Sequence, residues 1–276
     1  IIANDFMYYS YVFSKAKLHN TGTPTFERFV REYNQNVFDW LNTQTYIPDN
    51  NFFIYHNYSP VGNRLFFTES NAIKIDGIRF AIEGLHNRDL ISDNEYFYLK
   101  ASLLDCVTRY SNTSGTYEAF FKFWDNRALK DFIIEPIDII NCQELKDNVI
   151  YNKNSNELIR ELKGDILYLD PPYRPISATS NFNSYSSEGF GDKEQLELKE
   201  MADKINEAGG RFMLSNSDCP DGFFDRLYSD YVIDKVSIQR CITCLSTKNF
   251  VQEIVVRNYR GTLYDRMTKY EQTGLF

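Results

Sequence analysis

An apolar run in the second half of the chain, residues 166–169, ends abruptly in Asp170, Pro171-Pro172 and Tyr173. The run is too short for a helix and its residues favour strands, so it predicts a strand buried on both faces. Asp170 then stands at the carboxyl end of that strand, the edge at which open α/β sheets bind ligands. Because the two prolines fix φ and remove two backbone donors, they predict a stiff turn that holds a carboxylate, a carbonyl and a ring in one place.

This set of groups suits chemistry on the exocyclic amine of a nucleobase. The lone pair of such an amine is delocalised into the ring, and an acceptor for the amine hydrogens frees it by favouring a pyramidal nitrogen. The Asp170 carboxylate and the Pro171 carbonyl are two such acceptors, and Tyr173 offers a face on which the base stacks. This chemistry needs neither a separate nucleophile nor a metal. A structural strand followed by a proline turn is the alternative for the same residues.

The composition is that of an ordinary globular protein with an excess of aromatic residues. The 276 residues are enough for one large α/β domain, or for one domain with a second inserted into it. Aromatic residues make up 16% of the chain, which fits either rings that stack on bases or an aromatic-rich core. The formal net charge of −8 gives no global basic field, so binding to nucleic acid requires a local basic patch.

The cysteines, histidines and apolar runs of the sequence argue against a disulfide-bonded secreted protein, a metal site and a membrane span. Five cysteines, an odd number, in a chain with no signal-like segment at its start favour reduced thiols and a cytoplasmic location. Cys241-x-x-Cys244 is the only close pair, and His19, His56 and His86 are far from it in sequence, so no metal site is predicted. No apolar run approaches the ~20 residues of a membrane span, so no membrane partner is expected.

Outside the catalytic stretch, the pattern predicts an α/β domain that a helical segment interrupts. Residues 1–24 predict a strand ending at Asp5 and a helix, residues 25–136 predict a mostly helical insertion, and residues 137–276 return to α/β alternation. Asp5 either binds a ribose, as acids at this position do in Rossmann-like folds, or caps the helix that follows.

Hydrophobic spacing and stop signals predict the individual elements. Two final strands with no helix between them predict an antiparallel edge of the sheet, and Gly209-Gly210 predicts the end of a helix. The predicted helices cover residues 6–18, 26–41, 70–84, 93–110, 155–162, 193–208 and 221–227, and the predicted strands cover residues 149–152, 166–169, 211–214, 231–238 and 251–256.

A segment of the insertion, residues 118–132, mixes basic and aromatic residues at helical spacing. Such a mixture is typical of a surface that follows phosphates, although Phe120, Trp124 and Ala128 have the spacing of a core stripe. The candidates for contact with DNA phosphates in the whole chain are Arg64, Lys122, Arg127, Lys130 and Arg174.

The stretch Asp170-Pro171-Pro172-Tyr173 resembles the catalytic motif of the Dam-like DNA adenine-N6 methyltransferases. The similarity covers residues 145–260 and includes the segments 175–190, 214–217 and 253–259. The resemblance implies a Rossmann-like sheet with an antiparallel C-terminal edge, interrupted by a mostly helical target-recognition domain. It also implies transfer of a methyl group from S-adenosylmethionine to adenine N6 in double-stranded DNA, with the base flipped out of the duplex.

The resemblance also assigns roles to individual residues. Tyr185 and Phe190 lie in a polar loop beside the site and would close over the extruded base or fill the gap that it leaves. Ser215 and Asn216 either line the base pocket or form a simple turn. The implied catalytic residues are Asp170, Pro171, Pro172 and Tyr173, and the implied cofactor-binding residues are Asp5, Asn154, Tyr168 and Asp170.

Two departures from the family pattern concern the cofactor. The glycine-rich Phe-x-Gly-x-Gly loop that precedes the family's second motif, here residues 2–5, is missing. We therefore expect an N-terminal segment of about 40 to 50 residues, or a partner chain, to supply that loop. Asn154 stands where the family has an acid near the cofactor's adenine; it keeps a carbonyl acceptor but gives up the charge of a carboxylate.

The sequence is also compatible with other activities. Related motifs methylate RNA adenine, cytosine N4 or a glutamine amide, although Asp170 and the large insertion favour adenine in duplex DNA. The chain could also be a DNA-binding fragment or subunit without a competent cofactor site. The sequence determines neither the recognised base string nor whether the enzyme serves a restriction-modification system, a phage or cellular housekeeping.

Overall fold

The computed structural model of the chain describes residues 1–113, 117, 119–139, 147–158, 166–175, 190–239 and 250–260. The chain divides into two compact units, Ile1–Ser155 and Asn156–Phe276. Each unit has a hydrophobic core of its own. Within these ranges, no helix is both long enough and apolar enough to cross a membrane.

The first unit is a group of helices with one short strand before them and one short strand after them in the sequence. Its elements are β1 (Ile2–Asn4), α1 (Tyr8–Leu18), α2 (Glu27–Tyr33), α3 (Val37–Thr43), α4 (Phe53–Tyr58), a 3₁₀ turn (Pro60–Gly62), α5 (Glu69–Asn87), α6 (Asp93–Arg109) and β2 (Val149–Tyr151). The short helix α7 (Ser155–Leu158) begins at the end of this unit in the sequence.

The two long helices of this unit begin at side-chain caps. The Thr68 hydroxyl accepts a hydrogen bond from the Asn71 backbone N–H at the start of α5. At the start of α6, Ser92 and Glu95 form a reciprocal capping box, which satisfies two backbone donors that a helix leaves unpaired. These caps confirm the predicted helices over residues 70–84 and 93–110.

The single helix predicted over residues 26–41 is wrong, because the chain forms α2 and α3 there. Asn34 ends α2 in the left-handed region at φ 51°. Asn36 then begins α3, since its side chain accepts hydrogen bonds from the backbone N–H groups of Phe38 and Asp39. Asparagine favours both conformations, so the two residues break the helix although the apolar spacing continues across them.

The described residues between 117 and 139 are extended or turn-like, so the helical spacing of residues 118–132 does not produce a helix. Two side-chain amides hold the backbone of this segment instead: the buried Asn71 bonds the backbone of Lys130 and Phe132, and the half-buried Asn42 bonds that of Ile134. The core alternative is confirmed for Ala128, which is fully buried.

The two strands of the first unit come from distant parts of the sequence. β1 and β2 pair in parallel, with Ile2 opposite Val149 and Asn4 opposite Tyr151. Beside them, the Asn148 side chain donates a hydrogen bond to the carbonyl of Leu18 at the end of α1. The residues that follow β1 and β2 therefore lie at the same edge of this small sheet.

The second unit is a four-stranded sheet with the order β3-β4-β6-β5. β3 and β4 are parallel, whereas β6 is antiparallel to both β4 and β5, which confirms the predicted antiparallel closing strands. Helix α8 packs on this sheet and ends before Gly209, whose φ of 78° suits glycine. The elements are β3 (Ile166–Leu169), α8 (Asp192–Glu207), β4 (Arg211–Ser217), α9 (Phe223–Leu227), β5 (Val232–Gln239) and β6 (Phe250–Arg257).

The prediction that β3 is buried on both faces is wrong for alternate residues. Leu167 and Leu169 pack against the core of the second unit, but Ile166 and Tyr168 are 58% and 59% exposed. Among the described strands, β3 is the outer member of its sheet and pairs only with β4. Successive side chains of a strand point to opposite faces of the sheet, and only the face that bears Leu167 and Leu169 is covered.

Two glycines of α5 provide a matched test of the packing of the first unit. A Cβ atom on Gly77 would lie 2.1 Å from Cγ of Tyr46, whereas a Cβ atom on Gly84 would meet nothing within 4 Å. We expect Gly84→Ala to raise the free energy of unfolding by about 0.5–1 kcal/mol, because alanine orders a helix at lower entropic cost. We expect Gly77→Ala to lower it by about 1–3 kcal/mol through overpacking.

Urea unfolding followed by far-UV circular dichroism measures both changes, and each variant is the other's control for helix propensity. Equal shifts of the same sign in the two variants would contradict the packing of Tyr46 on Gly77.

Candidate active site

Asp170 follows β3 directly, as predicted, and is held by the neighbouring strand. The Ser215 hydroxyl, on β4, donates a hydrogen bond to Oδ1 of Asp170 over 2.9 Å. The Tyr168 hydroxyl lies 3.2 Å from the same Ser215 oxygen. Asp170 is exposed, and the described residues offer no partner to its second oxygen, Oδ2. The site thus presents a carboxylate that is fixed at one oxygen and open at the other.

The ring of Tyr173 is half-buried and is held at its hydroxyl. This hydroxyl donates to Oε2 of Glu253, on β6, over 3.3 Å. Burial raises the pKa of Tyr173 to about 12, with the charges of Glu253 and Asp170 acting in the same direction. The phenol is therefore neutral near neutral pH, which suits a ring that supplies a stacking face and not a base.

The backbone of the turn is held from behind by two buried amides. Gln195, near the start of α8, donates to the Pro172 carbonyl over 3.2 Å. Asn216, on β4, accepts from the Arg174 backbone N–H over 3.0 Å and donates to Gln195 over 3.3 Å. Ser215 and Asn216 both lie within β4, so the alternative of a simple turn at these residues is excluded.

The sequence analysis assigned no role to Gln195 or Glu253. A signal for Gln195 exists, because it is the polar member of the otherwise apolar stripe of α8 that includes Leu198 and Ala202. A polar residue at a core position usually has a buried polar partner. The signal for Glu253 is its place at the start of segment 253–259, one of the segments on which the family resemblance rests.

Arg174 ends the turn in an ion-pair cluster. Its guanidinium contacts Asp192 over 2.7 Å and Asp221 over 2.8 Å, and it lies 4.4 Å from the centre of the Phe223 ring. The hydrogen bonds from Arg174 lower the pKa of both carboxyls. Contact between Arg174 and a DNA phosphate stays a prediction, and such contact would compete with these two carboxylates.

Two residues expected to bind the cofactor lie at one edge of the small sheet of the first unit. Asp5 follows β1, and Asn154 is an exposed residue shortly after β2. Oδ1 of Asp5 accepts a hydrogen bond from the Met7 backbone N–H over 2.7 Å, but the N-cap of α1 is Met7 itself, so the capping alternative for Asp5 is wrong. Asn152 donates to the Asp5 carbonyl and fixes the junction.

The expected base-closing residues and basic residues are only partly described. Phe190 packs against the core of the second unit, and Tyr185 lies outside the described residues. Lys122 and Lys130 are exposed, and Phe123, beside Lys122, is 85% exposed. The other two candidates have protein contacts: Arg127 with Asp125 and the Thr113 carbonyl, and Arg64 with the Tyr58 ring and the Asn57 carbonyl.

No cluster of metal-ligating side chains occurs in the part of the chain that the structure describes. Cys241 and Cys244 lie outside that part. Cys106 and Cys219 are buried free thiols.

A family model shows which family this chain belongs to. The model of the D12 class N6 adenine-specific DNA methyltransferases matches residues 1–242. The chain belongs to this family. The match includes both Asp5 and the turn from Asp170 to Tyr173, so the two halves of the expected site fall within one D12-class sequence.

Several proteins are similar to this D12-class chain. Modification methylase LlaI of Lactococcus lactis subsp. lactis is 50% identical over 197 residues, which are 71% of this chain and 32% of that protein. Type II methyltransferase M.FokI of Planomicrobium okeanokoites is 38% identical over 185 residues, 66% of this chain and 28% of that protein. Type II methyltransferase M.NlaIII of Neisseria lactamica is 30% identical over 211 residues, 73% and 59% of the two chains. The D12-class chain thus spans less than two thirds of each of these relatives.

The Arg174 cluster predicts a pH-dependent contribution to stability. Because Arg174 lowers the folded-state pKa of Asp192 and Asp221 below the ordinary 3.8, the ion pairs stabilise the fold fully above that value. Their contribution is lost as the pH falls through the lowered values. We expect Arg174→Met to reduce the urea midpoint at about pH 7, and the difference from the wild type to shrink towards about pH 3.

Lys193→Met is the matched control, because Lys193 makes an ion pair with Glu197 but is 82% exposed. Its effect on the urea midpoint should be small. A difference for Arg174→Met that stayed constant down to acidic pH would show that the ion pairs do not stabilise the unit.

Proposed function

We propose that the protein containing this chain transfers a methyl group from S-adenosylmethionine to the N6 amine of adenine in double-stranded DNA. The observation that carries the proposal is the exposed Asp170 side chain at the end of β3, whose Oδ1 accepts a hydrogen bond from Ser215 and whose Oδ2 has no partner among the described residues. The names of the relatives, modification methylase and type II methyltransferase, support site-specific modification of DNA.

The residues of the first unit fit the adenosine half of the cofactor. One oxygen of Asp5 is used by Met7, and the other is available to the hydroxyls of a ribose. Asn154, at the same edge of the sheet, offers an amide to the adenine ring. When bound, S-adenosylmethionine would supply an electrophilic methyl group.

Asp170 and Pro171 act on the target amine in this proposal. Oδ2 of Asp170 accepts one amine hydrogen, and the Pro171 carbonyl accepts the other. Both bonds favour a pyramidal nitrogen whose lone pair leaves conjugation with the ring, which makes the amine nucleophilic. The open Oδ2 of Asp170 is also the nearest base in the turn for the proton that the nitrogen must lose.

Tyr173 and the loop after it hold the base outside the duplex. An adenine amine inside a stacked helix cannot reach Asp170, so we propose that the base is flipped out and stacks on Tyr173. The Ser215 hydroxyl, which is in contact with that of Tyr168, holds the Asp170 carboxylate. We propose that Tyr185 and Phe190 cover the flipped base or fill the gap that it leaves in the duplex. Membership of an N6 adenine-specific family supports adenine over cytosine as the target.

The exposed basic and aromatic surface of the first unit is the proposed contact with the duplex. Lys122 and Lys130 are exposed and have no ion-pair partner in the described part of the chain. Charges of this kind attract phosphates and release counterions when DNA binds. We therefore propose that residues 25–136 are the target-recognition domain.

The catalytic assignment predicts that Asp170→Ala loses methyl transfer by about 100-fold or more while the fold and the affinity for DNA are largely kept. The measurement is incorporation of labelled methyl groups into unmethylated plasmid DNA, with N6-methyladenine identified after digestion to nucleosides. Asp218→Ala, an acid one residue beyond the end of β4, is the control and should retain activity. Near-normal turnover of Asp170→Ala would refute the site.

The same assay separates the proposal from its rivals. A full-length protein that binds DNA but transfers nothing would be a DNA-binding subunit, and N4-methylcytosine among the products, or transfer to RNA alone, would identify a different amino-methyltransferase.

The proposed DNA surface predicts a change in salt dependence. Lys122→Ala should weaken DNA binding uniformly across sequences and reduce the slope of log K against log salt by about 1, because one phosphate contact is lost. Lys204→Ala, an exposed lysine of α8 in the second unit, is the control and should leave the slope unchanged. Binding isotherms at several salt concentrations measure both; an unchanged slope for Lys122→Ala would place the duplex elsewhere.

A further inference from the structure

Two buried amide side chains connect the backbone on the two sides of Tyr173. Asn216 accepts a hydrogen bond from the N–H of Arg174, the residue after Tyr173, and donates one to Gln195. Gln195 donates in turn to the carbonyl of Pro172, the residue before Tyr173. Both amide side chains belong to residues with 0% exposure. A closed circuit of hydrogen bonds thus passes behind the one residue that offers a stacking face.

The polarity of this circuit is determined at both of its ends. Oδ1 of Asn216 receives two backbone donors, Arg174 N–H and Ser217 N–H, so its amide nitrogen must point towards Gln195. The carbonyl of Pro172 is an acceptor only, so the amide nitrogen of Gln195 must point towards it. Each side chain has therefore a single orientation that satisfies all its partners.

The circuit restricts the last free torsions of the turn. Proline rings already limit φ at Pro171 and Pro172. The bond to the Pro172 carbonyl sets the peptide plane before Tyr173, and the bond from the Arg174 N–H sets the plane after it. With both planes held, φ and ψ of Tyr173 are set, and so is the direction of its Cα–Cβ bond.

We infer that Gln195 and Asn216 are positioning residues that aim the ring of Tyr173 at the target base. The inference rests on the proposed function and deepens it, because it names side chains that touch neither base nor cofactor and yet determine the rate. Their effect falls on kcat, since a base that stacks at the wrong angle presents its amine away from Asp170 and Pro171. Misplacement of a reacting group by about 1 Å costs on the order of 100-fold in rate.

The test uses the full-length protein, labelled S-adenosylmethionine and unmethylated plasmid DNA. Gln195→Met keeps the length of the side chain but cannot donate to the Pro172 carbonyl. We expect its kcat to fall about 10- to 100-fold, with the KM for DNA and the dissociation constant of the cofactor changed by less than about twofold. Glu200→Gln, at an exposed position of the same helix, is the control and should behave as the wild type.

A second variant separates positioning from a loss of stability. In Gln195→Glu, a protonated carboxyl can donate to the Pro172 carbonyl as the amide does, whereas an ionised carboxylate repels it. Burial raises the pKa of such a carboxyl. The ratio of variant to wild-type kcat should therefore be near one at low pH and fall as the pH rises, at temperatures where both proteins are folded. Groups that titrate in both proteins cancel in this ratio.

Each outcome bears on a different claim. A full kcat in Gln195→Met, or a ratio for Gln195→Glu that does not depend on pH, would overturn the positioning role and leave the proposed function intact. Loss of activity in Gln195→Met only through a higher KM, or only above its unfolding temperature, would also overturn it. A wild-type protein that transfers no methyl group would refute the proposed function and the inference with it.

Discussion

The carbonyl of Pro172 and the N–H of Arg174 find their partners outside any strand ladder. The two prolines before Tyr173 have removed two backbone donors from the turn, so side chains and not a ladder hold its backbone. Gln195 and Asn216 supply the partners. The stiffness that the prolines give to the turn is useful only because these amides also determine its direction.

The strand β4 joins the two halves of this arrangement. Ser215 and Asn216 are consecutive, so their side chains point to opposite faces of the sheet. Ser215 faces Tyr168 and the Asp170 carboxylate, while Asn216 faces α8 and the backbone around Tyr173. One strand therefore fixes both the acid that would bind the amine and the ring that would carry the base, and a change of its register would displace both together.

Sequence reasoning succeeded where the determining signal is local. The helix that begins at Asp93, the stop at Gly209 and the strand that ends just before Asp170 each depend on residues within one turn or one strand. It failed over residues 26–41, where apolar spacing outweighed two asparagines. It also missed Gln195, because the partners of that side chain come from other elements, and it could not show which carboxylates surround Arg174. Such contacts depend on the packed chain and have no local signature.

The pairing of β1 with β2 has a consequence for how the chain is made. The two strands are nearly 150 residues apart, with Ile2 opposite Val149, so β1 has no partner until almost the whole first unit has been synthesised. The helices between them share a core that contains no residue of β1 or β2, so they can pack first and bring the two strands together at little further loss of chain entropy. Because its two ends lie together, the segment between β1 and β2 can also be replaced by a different sequence without displacing the edge of the small sheet at which Asp5 and Asn154 lie. Under the proposed function, new target sequences can therefore evolve in residues 25–136 while the edge proposed to bind the cofactor stays the same.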